Sequence, residues 1–287
     1  MVMSSLGNNI GLVAPSGIFN AERLEKGIAK LEEWGYTVHR SPNLHKQHLC
    51  MAGTIEQRCI DIEWACTHPD IDFIWFARGG YGTIQLLNRL EKTINKPILG
   101  FSDATALGAM LTNQASSSFY HAPVVHSLTD LCNQETQDSL RIFLEEGTLP
   151  SFSVVPLINE SKKPISGKLV GGNLCVITSA MGTPYQLQTT DSILMIEDIG
   201  EPAYKIHRML TQIRLGGLFS ECKAVVLGTF EHCKAPDTFS LYDAIRDALQ
   251  GLKIPVYYNA LFGHGSDNHI WNAGRTYTLD KGNLYVE

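Results

Sequence analysis

The sequence contains no apolar run approaching the ~20 residues that a membrane-spanning helix requires. Its first cationic side chain is Arg23, so the start lacks the basic segment of a secretory signal, and the expectation is a soluble, cytoplasmic protein without a membrane partner. Charge is sparse at 18%, and 23 Lys and Arg against 29 Asp and Glu leave a net charge of −6 with the basic residues scattered. That distribution lacks the electrostatic footprint of a nucleic-acid binder, so no nucleic-acid partner is expected. No Cys-x-x-Cys pair occurs among the seven cysteines Cys50, Cys59, Cys66, Cys132, Cys175, Cys222 and Cys233. Buried free thiols in a reducing compartment are therefore expected rather than a disulfide framework or zinc site. His-Glu-x-x-His, the Walker lysine and Gly-x-Gly-x-x-Gly are missing too, so neither a metal nor a cofactor is indicated.

What is present is apolar material, 44% of 287 residues, enough for sizeable cores and by length for two compact domains. Asn9 to Val13 reads as a buried strand ending in the Pro15-Ser16-Gly17 loop. Asn20 then caps a helix whose Leu24, Ile28, Leu31 and Trp34 recur at three- and four-residue spacing before Gly35 stops it. The pattern repeats through a strand at Tyr36-Thr37-Val38, a helix near 55–66, a strand at 71–77, a helix near 83–90, a strand at 97–101 and a helix near 104–112. Strand alternating with helix up to about residue 145 predicts a doubly wound, mostly parallel sheet. Composition shifts at Glu146 to Pro150, and the polar, proline-bearing stretch 151–165 is expected to be a linker between a domain over 1–150 and one over 166–287. The second half carries strand signals at 167–172, 192–197, 224–228 and 255–258, with helices between them.

Four segments offer chemistry. Gly100-Phe101-Ser102-Asp103-Ala104 places a serine where an apolar strand meets a helix, with small residues two positions to either side. That is close to the Gly-x-Ser-x-Gly nucleophile elbow, although Ser102 or Asp103 could equally cap the following helix. Arg78-Gly79-Gly80-Tyr81-Gly82 ends the neighbouring strand, where glycines allow backbone N–H groups to approach a ligand; a plain tight turn is the alternative. The apolar run 193–196 ends in Glu197-Asp198, carboxylates suited to orienting a histidine or holding a cation, with a helix cap as the other use of Asp198. His264 lies in Phe262-Gly263-His264-Gly265, a glycine-flanked loop that suits a general base as well as a surface or capping histidine. His121 and His126 flank Ala122-Pro123-Val124-Val125 and read as hydrogen-bonded core histidines.

Ser102, Glu197 and His264 arrive in the order Ser, Glu, His, each at or just past a strand end. With them, the chain resembles the LD-carboxypeptidase family of serine peptidases over nearly its whole length. The resemblance rests on Gly11-Leu12-Val13-Ala14-Pro15-Ser16, Met51-Ala52-Gly53-Thr54 with Gln57-Arg58, Arg78 to Gly82, Gly100 to Leu107, Gly171-Gly172-Asn173-Leu174, Ile196 to Glu201 and Gly263-His264. Phe101 stands where the family often has Tyr, and Ala122 where it has Gly before proline. The resemblance implies an α/β protein with a flavodoxin-like N-terminal domain, a smaller mixed C-terminal domain and an active site between them. It implies Ser102 as nucleophile, His264 as general base, Glu197 as its orienting carboxylate, and the Gly80 and Asp103 N–H groups as oxyanion hole.

The implied reaction needs no cofactor. It removes the terminal D-alanine from murein tetrapeptide, at the bond from an L-centre of diaminopimelate or lysine, in cytoplasmic peptidoglycan recycling by a homodimer. The alternative within the superfamily is a microcin C immunity-type hydrolase of aminoacyl-nucleotide amides. Those enzymes are usually longer and carry a base-stacking aromatic loop, whereas the stretch between Glu197 and His264 contains no Trp. A binding protein without turnover is a further alternative, but it would have no need of Ser, Glu and His together.

Overall fold

A computed structural model describes residues 6–90, 94–114 and 118–286. Strands β1 (Asn9–Val13), β2 (Thr37–Arg40), β3 (Phe73–Phe76), β4 (Ile98–Gly100) and β5 (Phe119–His121) pair in parallel in the order β2-β1-β3-β4-β5. That order is flavodoxin-like, and it places the β1, β3 and β4 loops side by side at the carboxyl edge, where such sheets bind ligands. Side chains alternate as a two-sided sheet demands. Ile10, Leu12, Phe73 and Trp75 face the helix Ala21–Glu33 through Leu24, Ile28 and Leu31, whereas Val13, Ile74 and Phe76 face the helix Ile55–Thr67 through Cys59, Ile62 and Cys66. Both helices start where their side chains dictate: Asn20 accepts the Arg23 N–H, and Thr54 forms a reciprocal capping box with Gln57.

The second sheet has eight strands, β6 (Phe152–Ser153), β7 (Val155–Ile158), β8 (Ile165–Asn173), β9 (Ser192–Ile199), β10 (Ala224–Glu231) and β11 (Val256–Tyr258), with β13 (Thr276–Asp280) and β14 (Asn283–Val286). Its β8-β9-β10-β11 centre is parallel, flanked by antiparallel β7 on one side and β13, β14 and β6 on the other. The stretch 151–165, expected as a linker, thus contributes β6 and β7 to this sheet. Between β11 and β13 the chain leaves the second sheet: β12 (Trp271–Ala273) pairs antiparallel with β5 of the first, with Trp271 opposite His121.

One apolar core joins the two sheets, since Val13, Ile74 and Phe76 of the first belong to the same cluster as Leu169, Ile193, Met195 and Val226 of the second. A shared core of this kind resists hinge motion between the halves. The expectation of buried free thiols holds for Cys59, Cys66, Cys132 and Cys222, whereas Cys50 and Cys175 are exposed and Cys233 is half-buried. Among the described residues no helix is long and apolar enough to cross a membrane, and no cluster of metal-ligating side chains occurs.

Candidate active site

Ser102 sits just past β4, at the carboxyl edge of the first sheet, with φ of +62°. A non-glycine residue in the left-handed region costs of order 1–3 kcal/mol and persists only where its surroundings hold it, as at a nucleophile elbow. The hydroxyl does not cap a helix. Its Oγ lies 3.0 Å from His264 Nε2, and His264 Nδ1 lies 2.7 Å from Glu197 Oε2. Because a carboxylate only accepts, Nδ1–H donates to Glu197, which leaves Nε2 free to accept the Ser102 proton.

Glu197 comes from β9 and is wholly buried; the His264 side chain retains 14% of its exposure. Burial is the strongest single influence on His264 and pulls its pKa down. The Glu197 charge and hydrogen bond, together with Asp198 and Glu231, outweigh that and raise it above the ordinary value of 6.5. Asn173, paired with Glu197 across β8 and β9, sends Nδ2 to Glu197 Oε1 at 3.3 Å and to Asp198 Oδ1 at 3.1 Å. Its backbone N–H donates to Thr105 Oγ1 at 3.0 Å, on the helix that follows Ser102. Asp198 also accepts the Cys175 N–H, near the start of the helix Leu174–Ser179 rather than of the helix after its own strand. Burial pushes its carboxyl up to about 6.

His264 reaches the first domain because the segment after it is tied there. Asn268 Oδ1 accepts the Gly263 N–H at 3.0 Å and lies 3.2 Å from His121 Nε2, while Asn133 N donates to Ser266 O at 3.0 Å. Gly263 has φ of +122°, and a Cβ there would stand 2.8 Å from Glu197 Oε2, so only glycine lets the loop pass this close to the carboxylate. Phe101 and His264 have ring centroids 4.7 Å apart, so Phe101 backs the imidazole. The core role expected for His121 is what the structure shows: wholly buried, stacked on Trp271 and pushed down to about 4 by burial.

The glycine loop after β3 lies against the serine. A Cβ at Gly79 would come within 2.8 Å of Ser102 Cβ. Gly79 C=O accepts the Gly17 N–H at 3.0 Å, and because a trans peptide holds its C=O and N–H on opposite sides, the Gly80 N–H points away from Gly17. Among the described residues neither the Gly80 nor the Asp103 N–H has an acceptor, which leaves two backbone donors unused beside the serine. All five expected site residues, Gly80, Ser102, Asp103, Glu197 and His264, therefore belong to one neighbourhood. Sequence reasoning passed over Asn173 and Asn268 as individual site residues. Asn173 stands inside the segment Gly171 to Leu174 and Asn268 four residues after His264, and only three-dimensional contacts reveal their partners.

Comparison with known proteins agrees with this architecture. Residues 10–122 match the LD-carboxypeptidase N-terminal domain and residues 166–279 the LD-carboxypeptidase C-terminal domain. A protein of Synechocystis sp. is 35% identical over 283 residues, spanning 96% of this chain and 92% of its own. The murein tetrapeptide carboxypeptidase of Pseudomonas aeruginosa is 30% identical over 293 residues, covering 97% and 95% of the two chains. Among solved structures, muramoyltetrapeptide carboxypeptidase from Oxalobacter formigenes superposes with a TM-score of 0.81 at 28% identity, covering 96% of this chain and 97% of that one. MccF in complex with glutamyl sulfamoyl guanosine gives 0.85 at 19% identity, with 100% and 99% covered, a likeness of fold alone. The chain belongs to the LD-carboxypeptidase family, and it is a carboxypeptidase of the two-domain α/β kind that the family defines.

Proposed function

We propose that this enzyme is a serine LD-carboxypeptidase that releases the terminal D-alanine of murein tetrapeptide, acting as a homodimer in cytoplasmic peptidoglycan recycling. The observation that carries the reading is the unbroken relay from Ser102 Oγ through His264 to a buried Glu197, on a serine held in a strained turn. The family membership and the P. aeruginosa relative support the substrate.

In the reaction, His264 Nε2 takes the Ser102 proton as Oγ bonds to the carbonyl carbon of the third stem-peptide residue. Negative charge moves onto the carbonyl oxygen, which the Gly80 and Asp103 N–H groups receive. Collapse of this intermediate breaks the C–N bond, and the proton on His264 passes to the departing amine of D-alanine. Water then gives a proton to His264 and attacks the ester, His264 returns that proton to Ser102 as the C–O bond breaks, and the tripeptide acid releases its remaining proton to solvent or to the D-alanine amine and leaves as a carboxylate. Glu197 holds the imidazole tautomer throughout and stabilises the imidazolium.

The test is incubation of purified enzyme with murein tetrapeptide, with D-alanine release followed by mass spectrometry beside a tetrapeptide ending in L-alanine. Release from the D-terminated peptide alone is expected. No release from folded protein would overturn the substrate and direct attention to aminoacyl-nucleotide amides.

A further inference from the structure

The residue after the serine carries a second feature that the relay does not use. Asp103 is 3% exposed, and its carboxylate turns away from its own helix: Oδ2 accepts the Thr83 N–H at 2.8 Å, at the end of the glycine loop. The helix Thr105–Asn113 has no side-chain cap, although an aspartate near a helix start ordinarily serves there. Thr83 is wholly buried, and its Oγ1 lies 2.8 Å from Ser16 Oγ in the loop after β1. Beside this junction lies Arg58, 1% exposed, which donates to Pro15 O at 2.7 Å, Gly53 O at 3.1 Å and Gln85 Oε1 at 2.7 Å. Burial lowers the Arg58 pKa, and the Asp103 charge is the leading influence that opposes this, so the two groups attract across the junction.

The glycine loop is therefore pinned at both ends. Gly17 N–H holds Gly79 C=O at one end, and Asp103 Oδ2 holds Thr83 N–H at the other. Between these pins lies the Gly80 N–H, while the Asp103 backbone N–H stands beside Ser102. We propose that the Asp103 side chain is a positioning residue that sets the separation of the two N–H donors, Gly80 on the loop and Asp103 on the serine turn. Donors to a developing oxyanion act only when both are preorganised at hydrogen-bond distance, and a displacement of about 1 Å can cost about 100-fold in rate. Asp103 thus joins both halves of the anion site through one covalent residue, with its N–H on one half and its carboxylate on the other.

This inference rests on the reading of Ser102 as nucleophile but not on the identity of the substrate. The experiment accordingly has two arms: kcat and KM for D-alanine release, and the rate at which a fluorophosphonate probe labels Ser102. Asp103→Ala removes the acceptor for Thr83, whereas Asp103→Asn keeps one and conserves shape. Asp103→Ala is expected to lower kcat about 10- to 100-fold with KM within about threefold, and to slow labelling in parallel. Asp103→Asn is expected to regain most of both. If the alanine variant does not fold, Asp103→Ser, too short to reach Thr83, takes its place. Equal losses in the alanine or serine variant and in Asp103→Asn, or wild-type labelling in the alanine or serine variant, overturn the inference. Failure of D-alanine release by the wild type with normal labelling of Ser102 would overturn the substrate instead, and the labelling arm would still decide the role of Asp103.

Discussion

Asn268 Oδ1 receives the Gly263 N–H at 3.0 Å, so the residue immediately before His264 hangs from a side chain five positions further on. The same oxygen faces His121 Nε2 at 3.2 Å, and Asn268 N donates to Thr136 Oγ1 at 3.0 Å. The base is thereby fastened to both β5 and the helix Gln134–Glu146 of the first domain, although it arrives from the second half of the chain. Asn268→Ala leaves the buried Gly263 N–H and His121 without their acceptor and is expected to cost about 1–3 kcal/mol of stability. Urea denaturation measures that loss, and kcat falls with it because His264 is no longer aimed at Ser102.

The raised pKa of His264 fixes the acid limb of the pH profile. The base works only when neutral, so kcat/KM falls as pH drops through a value above the ordinary 6.5. In Glu197→Gln the opposing pull of burial is left with less to balance it, and the limb moves to lower pH while the rate falls about 10⁴-fold. A pH-rate profile of both proteins checks this. For stability the sign is that of a raised folded pKa: protonated His264 favours the fold fully below about 6.5, and this contribution is lost as pH rises through the folded value.

Two other buried groups near the site oppose each other in acid. His121, pushed down to about 4, disfavours the fold progressively as pH falls from about 6.5 towards 4. Asp198, pushed up to about 6, favours the fold as pH falls through that value towards the ordinary carboxylate range. Each shift corresponds to about 3 kcal/mol, so much of the effect cancels in the wild type. In Asp198→Asn the histidine loses one of the two groups that oppose it, His264 being the other, and stability measured by urea denaturation is expected to fall more steeply between pH 7 and 4.5 than in the wild type.

The strain at Ser102 predicts a trade of activity against stability. Ser102→Ala keeps a Cβ at φ of +62°, whereas Ser102→Gly relieves it. The glycine variant is expected to be inactive yet about 1 kcal/mol more stable than the alanine variant, as a thermal melt would show.

The parts legible in the sequence are those whose physics is local. Apolar runs at β1, β3 and β4, the Asn20 cap and the glycines around the loop after β3 announce themselves within a few residues. Glu197 is legible because a carboxylate directly after a run of buried apolar residues is costly without a partner, although β9 runs two residues beyond it to Ile199. What escaped is non-local: β12 has three residues and owes its place to pairing with β5, some 150 positions earlier in the sequence. Short β6 and β7 look like a linker because Pro150, Pro156 and the polar 159–163 run hide two edge strands, where proline is tolerated. The clamp from Asp103 to Thr83 was equally hidden, since an isolated Asp near a helix start reads as a cap, and the bridge to Thr105 uses the Asn173 backbone N–H, which any residue there would carry.

Ser102, driven by His264 and Glu197, is proposed to carry the release of D-alanine. The most direct test of this role is the rate of D-alanine release from murein tetrapeptide by wild-type enzyme and by Ser102→Ala, side by side at equal concentration with folding verified. Turnover by the wild type and a loss of at least about 10³-fold in Ser102→Ala are expected. A Ser102→Ala variant that releases D-alanine within tenfold of the wild-type rate would contradict that role.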